Sequence, residues 1–157
     1  MTEPILTPAT WRFLAETRRA TLATIDDEGR PRLVPICFVL SEDPLTGAPT
    51  LHTPLDEKPK RTTDPLDLAR ARDIMARPAV TILVDRWSED WTELAWLRGS
   101  GEGVLLRPGH PSVGKEREVA ISALRAKYPQ YLDHDLASRP LIRITLTGVA
   151  TWGAREG

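Results

Sequence analysis

The chain has 157 residues, and its 21 basic and 22 acidic side chains leave a formal net charge of -1. This balance argues against a general nucleic-acid binder, which would carry a clear excess of positive charge. A chain of this length is expected to form one domain, residues 1–157, with a sizeable core. Since no apolar run is long enough to span a bilayer, we expect a cytoplasmic protein without a membrane partner.

The first predicted elements are a helix and a β-hairpin. Thr7 suits the N-cap and Pro8 the first helical position, which predicts a helix as far as about Thr17. A hairpin is predicted over Arg19 to Leu40. Its first strand is Ala20 to Ile25, and the polar turn that follows contains a glycine able to adopt a positive φ.

The second strand of this hairpin, Pro31 to Leu40, is largely apolar on both faces. One face can fill a core, and the other must meet a second layer, a ligand or another subunit. Pro35 has no N–H for the ladder, so it predicts an edge, a bulge or an interruption. A buried strand with a bulge and a floor for a flat ring system both fit the pattern. Because Cys37 is the one cysteine, the sequence excludes an intramolecular disulfide and a cysteine zinc cluster. Cys37 is expected to be a small buried hydrophobe.

The rest of the chain predicts further strands and two more helices, about six strands and three helices in all. Gly99, Gly101 and Gly103 lie within one predicted strand, which indicates a bend or bulge where a backbone or a ligand comes close. Short hairpins and bent strands favour an antiparallel barrel over a parallel sheet. The later predicted elements are a strand at Thr50 to Thr53, a charged loop at Leu55 to Pro65, a helix at Asp67 to Arg77, strands at Ala79 to Trp87 and Leu94 to Leu106, a helix at Val113 to Lys127 and a strand at Pro140 to Trp152.

The last predicted helix follows a segment that imitates a phosphate-binding loop. Gly109 to Lys115 fits G-x-x-x-x-G-K, but the next residue is Glu116 where that loop needs a hydroxyl for the metal. We therefore interpret the segment as a strand-to-helix loop in which Ser112 caps the helix. The helix itself is predicted to turn Val119 and Leu124 inward.

Neither a metal site nor a catalytic constellation can be assigned. His52, His110 and His134 are scattered, and none pairs with another at a metal-ligand spacing. No Ser-His-Asp arrangement can be nominated. His52 lies in a short strand, where a structural or solvent-facing role is expected.

A basic segment is the remaining candidate for ligand binding. Lys58, Lys60 and Arg61 lie in a proline-containing loop, and Arg70 follows on the predicted helix. Acidic residues are interspersed, so a solvated surface fits the segment. An anion site fits it equally, since these cations could converge on one phosphate through charge-assisted hydrogen bonds.

In order, these elements resemble the pyridoxamine 5'-phosphate oxidase-like, FMN-binding split β-barrel family, and within it the deazaflavin (coenzyme F420)-dependent branch. The segments that carry the resemblance are RPRLVPICFV, LHTP, DEKPKRT, LARARDIMARP, AVTILVDRW and DWTELAWLRGSGEG. The resemblance implies a mainly β fold with flanking helices, a six-stranded antiparallel Greek-key split barrel. It also implies a homodimer with two cofactor sites at the subunit interface.

The resemblance further implies which residues bind the cofactor. The ring would lie against the second strand, and the phosphate would be held after the third strand and at the following helix. Two tryptophans would face the site from the partner subunit, or else pack in the dimer interface. The residues are Leu33, Val34, Pro35, Ile36 and Cys37 for the ring, Thr53, Lys58, Lys60, Arg61 and Arg70 for the phosphate, and Trp91 and Trp96 from the partner.

The activity implied is hydride transfer between coenzyme F420 and a small electrophilic substrate. The cofactor carries this chemistry, and solvent can supply the proton, so no catalytic residue is required. Arg30 and Arg32 could meet a polyglutamate tail. FMN in place of F420, and a storage protein with little turnover, are the alternatives. No pocket for pyridoxal phosphate can be identified, which argues against vitamin B6 oxidation.

Overall fold

The fold is an antiparallel sheet with three flanking helices. The computed structural model describes residues 3–55, 66 and 68–153. The elements within these residues are α1 (Pro8–Glu16), β1 (Ala20–Ile25), β2 (Pro31–Ile36), β3 (Val39–Glu42), β4 (Pro49–Pro54), α2 (Ala69–Ala76), β5 (Ala79–Arg86), β6 (Ala95–Leu106), α3 (Gly114–Lys127) and β7 (Leu141–Trp152).

The strands form one sheet in the order β2-β1-β5-β6-β7-β4-β3, and every neighbouring pair is antiparallel. The sheet curls around an apolar interior as a split barrel whose edges are β2 and β3. The predicted fold class is therefore confirmed, with seven strands in the described residues where about six were expected. None of the helices described is long and apolar enough to cross a membrane.

The extra strand arises because the predicted strand at 31–40 is divided. The N–H of Phe38 donates to the Tyr128 hydroxyl (3.1 Å), and its carbonyl accepts from Lys127 Nζ (3.0 Å). Those side chains, at the end of α3, satisfy backbone groups that a continuous ladder would have used. The strand therefore breaks between β2 and β3, and Pro35 lies on an edge strand, as its missing N–H predicted.

The hairpin turn and the first helix form as predicted. Asp26 Oδ1 accepts from the N–H groups of Glu28 (2.9 Å) and Arg30 (2.8 Å), and Gly29 has a φ of 78°. The hydrogen bond from the Arg30 N–H is the main cause that lowers the pKa of Asp26. Thr7 caps α1 through the Thr10 N–H (3.2 Å).

Two apolar clusters hold the sheet, one on each side. The interior cluster contains Leu22, Ile82 and Ile144, none of which is exposed. The second cluster joins α3 to the opposite side of the sheet; its buried members are Val39, Leu106, Ala120, Ile121, Leu124, Tyr128, Tyr131, Leu136 and Leu141.

Two predictions about α3 are wrong. Val119 is 57% exposed, because the helix turns Ala120, Ile121 and Leu124 toward the sheet; Leu124 is buried as predicted. Ser112 does not cap the helix: it lies in a 3-10 turn and hydrogen-bonds His110 Nδ1 (2.8 Å). The turn already directs the chain into α3, whose N-cap, Val113, makes no side-chain capping bond.

The glycines of β6 lie at a bulge, as predicted, and the group that comes close to Gly101 is the backbone of β7. The register of β6 and β7 shifts between Ser100 and Gly101. A Cβ on Gly101 would collide with the carbonyl oxygen of Thr145. Such bulges bend a strand and increase its twist. Both 12-residue strands therefore change direction at this point.

Candidate functional site

The candidate site lies on the outward face of the sheet, the side opposite the interior cluster. Strand register places alternating residues of every strand on this face. The second cluster joins α3 to the part made by β3, β4 and the adjoining ends of β6 and β7; we call this part the covered half. We call the remaining part the bare half; it is made by β2, β1, β5 and the other ends of β6 and β7. None of the three α-helices described contributes to a cluster there.

The bare half is built in rows of cross-strand neighbours. Residues opposite each other in an antiparallel sheet point to the same face with their Cβ atoms about 5 Å apart. One row has Leu33 at its edge followed by three short side chains, and the next row has two large side chains on β5 and β6. The rows are Leu33, Ala23, Thr81 and Ser100, and then Pro35, Thr21, Leu83 and Arg98.

Large apolar side chains stay exposed on this half. Leu33 is 66% exposed, Leu83 41% and Trp152 50%. Single exposed apolar residues are ordinary, whereas several on one sheet face are typical of an interaction surface. The bare half therefore has the composition of a surface that binds a ligand or another chain.

Two depressions indent the bare half. A shallow one of about 420 Å³ lies over the row of small side chains, between Ala23, Thr81 and Ser100. A larger one of about 620 Å³, which we call the tryptophan groove, lies toward the end of β7. It is lined by Leu83, Asp85, Arg86, Trp87, Leu94, Ala95, Trp96, Arg98 and Trp152.

The covered half carries a charged cluster that sequence reasoning missed. Glu116 of α3 accepts from Arg143 through both carboxylate oxygens (2.9 and 2.8 Å) and lies 2.6 Å from His52 Nε2. His52 and Arg143 are register partners on β4 and β7. The Arg143 hydrogen bond is the main cause that lowers the pKa of Glu116 to about 2. The cluster fixes the start of α3 to the sheet, and it gives His52 a structural place in the fold.

A second polar cluster secures the break between β2 and β3. Lys127 Nζ donates to the carbonyl oxygens of Thr17 (2.8 Å) and Phe38 (3.0 Å) and lies 4.1 Å from the centre of the Phe38 ring. Burial, and then the nearby positive charge of Arg18, lower the pKa of Lys127 to about 8. The cluster ties the end of α3 to the chain on both sides of the hairpin.

Arg32 forms an ion pair within the protein. Its Nε donates to Asp73 Oδ2 (2.8 Å), which also accepts from the Thr24 hydroxyl (2.7 Å). Asp73 is 4% exposed, so this pair attaches α2 to the start of β2. The guanidinium that was considered for a polyglutamate tail therefore already has a carboxylate partner.

The predicted ring-binding residues divide between the two sides of β2. Leu33 and Pro35 are exposed on the bare half. Val34 and Ile36 point the other way and pack with the interior cluster. Cys37 is partly buried against the α3 cluster, beyond the end of β2. An edge strand of this kind offers a ligand one face only.

The remaining predicted residues are spread more widely. Thr53 is 1% exposed beside Ile142, Arg70 is partly buried in the first turn of α2, and Trp91 is 70% exposed in a 3-10 turn. Trp96 is partly buried in the tryptophan groove. The predicted phosphate-binding residues Lys58, Lys60 and Arg61 lie outside the described residues.

Sequence reasoning did not single out Thr81, Leu83, Arg98 and Trp152, which complete the bare half. The alternation within β5 and β6 contains the signal, since these residues occupy the positions opposite the buried ones. Reading it needs the strand order, which places β5 and β6 beside the hairpin.

A family model for pyridoxamine 5'-phosphate oxidase matches residues 6–153. None of the curated proteins matches the sequence. Among solved structures, an F420 reductase has a TM-score of 0.63 at 18% identity, over 92% of this chain and 98% of that one. A FAD-binding protein from Mesorhizobium loti has a TM-score of 0.61 at 20% identity, over 90% and 87%. The heme storage protein HutZ from Vibrio cholerae has a TM-score of 0.63 at 15% identity, over 94% of both chains. At these identities the structures establish the fold alone.

Proposed function

The chain belongs to the pyridoxamine 5'-phosphate oxidase family, and from this we propose that it is an F420-dependent oxidoreductase of the cytoplasm. It works as a homodimer that binds the cofactor on the bare half of each sheet. The observation that carries the proposal is the set of exposed apolar side chains on the bare half, among them Leu33, which is 66% exposed. The similarity to an F420 reductase supports the choice of cofactor.

The exposed residues of the bare half suit a flat ring. Leu33 and Pro35 offer apolar contact, and Pro35 leaves one backbone donor fewer on the sheet edge. Beside them, the short side chains of Ala23, Thr81 and Ser100 line a depression of about 420 Å³. A ring could therefore approach the strands closely without displacing a large side chain.

Each group of residues has its own part in this proposal. Leu33 and Pro35 contact the ring, while Val34 and Ile36 support it from the interior side. Thr53, at the end of β4, belongs with the phosphate. Lys58, Lys60 and Arg61 hold the phosphate with Arg70, and Trp91 and Trp96 of one subunit cover the site of the other. When bound, the deazaflavin supplies hydride chemistry. The protein orients the substrate beside the ring, and solvent supplies the proton.

A second copy of the chain is the proposed cover of the bare half. Exposed apolar side chains on one sheet face are stabilised when a matching face removes them from water, at about 25 cal/mol for each Å² buried. A twofold dimer pairs the same surface of both subunits, so the part of one bare half from β2 to β5 can cover that of another, with the tryptophan groove at the rim of the interface. The cofactor would then lie between the two subunits.

Titration of the purified protein with F420, FMN and heme, followed by fluorescence and absorbance, tests the cofactor. We expect the tightest binding with F420, and oxidation of the reduced form by an enone or quinone. Tighter binding of FMN, or a yellow protein as purified, would favour an FMN-dependent oxidoreductase. One of the similar structures is a FAD-binding protein. Tight binding without turnover would favour a storage protein, the role that HutZ has.

A further inference from the structure

The tryptophan groove adjoins the surface proposed for the ring and extends from it toward the end of β7. β1 and β5 lie between β2 and β6 in the sheet. Three strand spacings therefore separate Leu33 from Trp96, about 14 Å along the sheet. At about 620 Å³ the groove can hold a small molecule of its own.

The groove has aromatic walls on a fixed support. Trp96 and Trp152 are register partners on β6 and β7, so their side chains leave the sheet next to each other. Gly153 follows with a φ of 72°, and a Cβ there would collide with the Leu94 carbonyl oxygen. This close approach fixes the end of β7 against the start of β6. Trp87 adds a third indole to the lining.

The groove also has an excess of positive charge. Arg98 lies with its Cζ 5.6 Å from the centre of the Trp96 ring and is exposed, and no ion pair joins it to a carboxylate among the described residues. Arg86 is held in place by the Glu93 carbonyl oxygen (2.7 Å). Among the described residues of the lining, Asp85 is the one carboxylate, beside these two guanidinium groups.

We propose that the tryptophan groove binds a planar aromatic carboxylate. Indole rings stack on a conjugated ring system, and a guanidinium at the edge of the stack recognises a carboxylate with two parallel hydrogen bonds. Arg98 is the specificity-determining residue, because it carries a planar donor group that no carboxylate of the described residues pairs with. That this ligand is the substrate rests on the proposed function, whereas its binding does not.

Isothermal titration calorimetry on the full chain tests the proposal with two probes of the same shape. Naphthalene-2-carboxylate is the anion, and naphthalene-2-carboxamide is its neutral counterpart. We expect tighter binding of the carboxylate, and we expect Arg98→Gln to weaken it by about tenfold while the carboxamide affinity stays the same. Unchanged carboxamide binding also shows that the variant is folded.

Two further variants complete the test. Trp152→Ala removes a wall and should weaken both probes together. Arg12→Gln, at an exposed position of α1, is the matched control and should change neither affinity. Equal binding of the two probes by the natural chain, or an unchanged carboxylate affinity in Arg98→Gln, would overturn the proposal.

Repeating the titration with F420 added separates this proposal from the proposed function. Carboxylate binding that persists in saturating F420 supports a separate site. Competition between the two would mean that the cofactor itself occupies the groove, and would overturn the proposal. Carboxylate binding to a protein that does not bind F420 would support the groove and contradict the proposed function.

Discussion

The two halves of the outward sheet face differ in whether a helix of the described residues covers them. On the covered half, α3 places Leu124 over the sheet and joins Glu116 to His52 and Arg143. On the bare half, comparable apolar side chains such as Leu83 remain in solvent. One continuous sheet thus has a half that the chain completes by itself and a half that the described residues leave open.

The β6–β7 bulge lies where the two halves meet. Before it, Ser100 faces Gly148 on the bare half, and after it, Val104 faces Arg143 on the covered half. Bending the two longest strands here lets α3 pack on one half while the other turns away from it. The exposed apolar side chains of the bare half are therefore a consequence of where the bulge bends the sheet.

The largest expected effect comes from a charge on the bare half. Leu83→Arg should leave the protein monomeric at micromolar concentration, because an unpaired buried charge costs about 3 kcal/mol or more. Light scattering should report the mass of one chain for the variant and of two chains for the natural protein. Val119→Arg, at an exposed position of α3, is the control and should stay dimeric. Two dimeric variants would mean that the bare half is not the interface.

The boundary between the halves can be broken with one methyl group. Gly101→Ala should destabilise the protein by about 3 kcal/mol, because its Cβ would collide with the Thr145 carbonyl oxygen. Gly148→Ala, on the neighbouring strand, meets no atom within 4 Å and should cost much less. Urea unfolding measures both. Similar losses in the two variants would remove the close approach as the reason for this glycine.

The bare half should depend on the basic loop for its cofactor. Lys60→Ala is expected to weaken F420 binding by about 1–3 kcal/mol, the cost of losing a charged hydrogen-bond partner. Lys115→Ala, an exposed lysine of α3, should leave the affinity unchanged. A fluorescence titration compares the two variants. An unaltered affinity in Lys60→Ala would take this lysine out of the site.

The covered half should show a smaller effect that depends on pH. Glu116→Gln keeps one oxygen acceptor for Arg143 and loses the charge, so we expect a loss of about 1 kcal/mol at neutral pH. The pKa of Glu116 is lowered from 4.5 to about 2. Its ionised form therefore stabilises the fold above about pH 4.5, and this stabilisation is lost as the pH falls toward about 2. Urea unfolding at pH 7 and pH 3 should show the difference between the variant and the natural chain shrinking in acid. A difference that does not shrink would mean that the charge of Glu116 does not stabilise this half.

Local sequence signals predicted the elements well. Thr7 and Pro8 located the start of α1, Asp26 and Gly29 the hairpin turn, and the glycines of β6 the bulge. The break at Phe38 was not predictable, because it depends on hydrogen bonds from Lys127 and Tyr128, about 90 positions away. Val119 was misplaced because the side of α3 that is buried depends on where the sheet lies.

The candidate site was predictable on one strand only. The apolar alternation of β2 identified Leu33 and Pro35 as a surface that needs a cover. Thr81, Leu83 and Trp152 join them only through the order and register of the strands, which no local pattern encodes. The charged cluster around Glu116 was missed for the same reason, since its members come from three separate elements.

Hydroxyl-radical footprinting tests most directly whether the bare half is covered. Leu33 on the bare half and Leu132 in the 3-10 turn after α3 are the same residue type, and each is 66% exposed in the single chain. Their oxidation rates in the full protein with F420, at micromolar concentration, form a matched pair. We predict that Leu33 is oxidised several times more slowly than Leu132, because a second subunit and the cofactor cover it. Equal rates would mean that the bare half stays open to solvent, and would contradict the account.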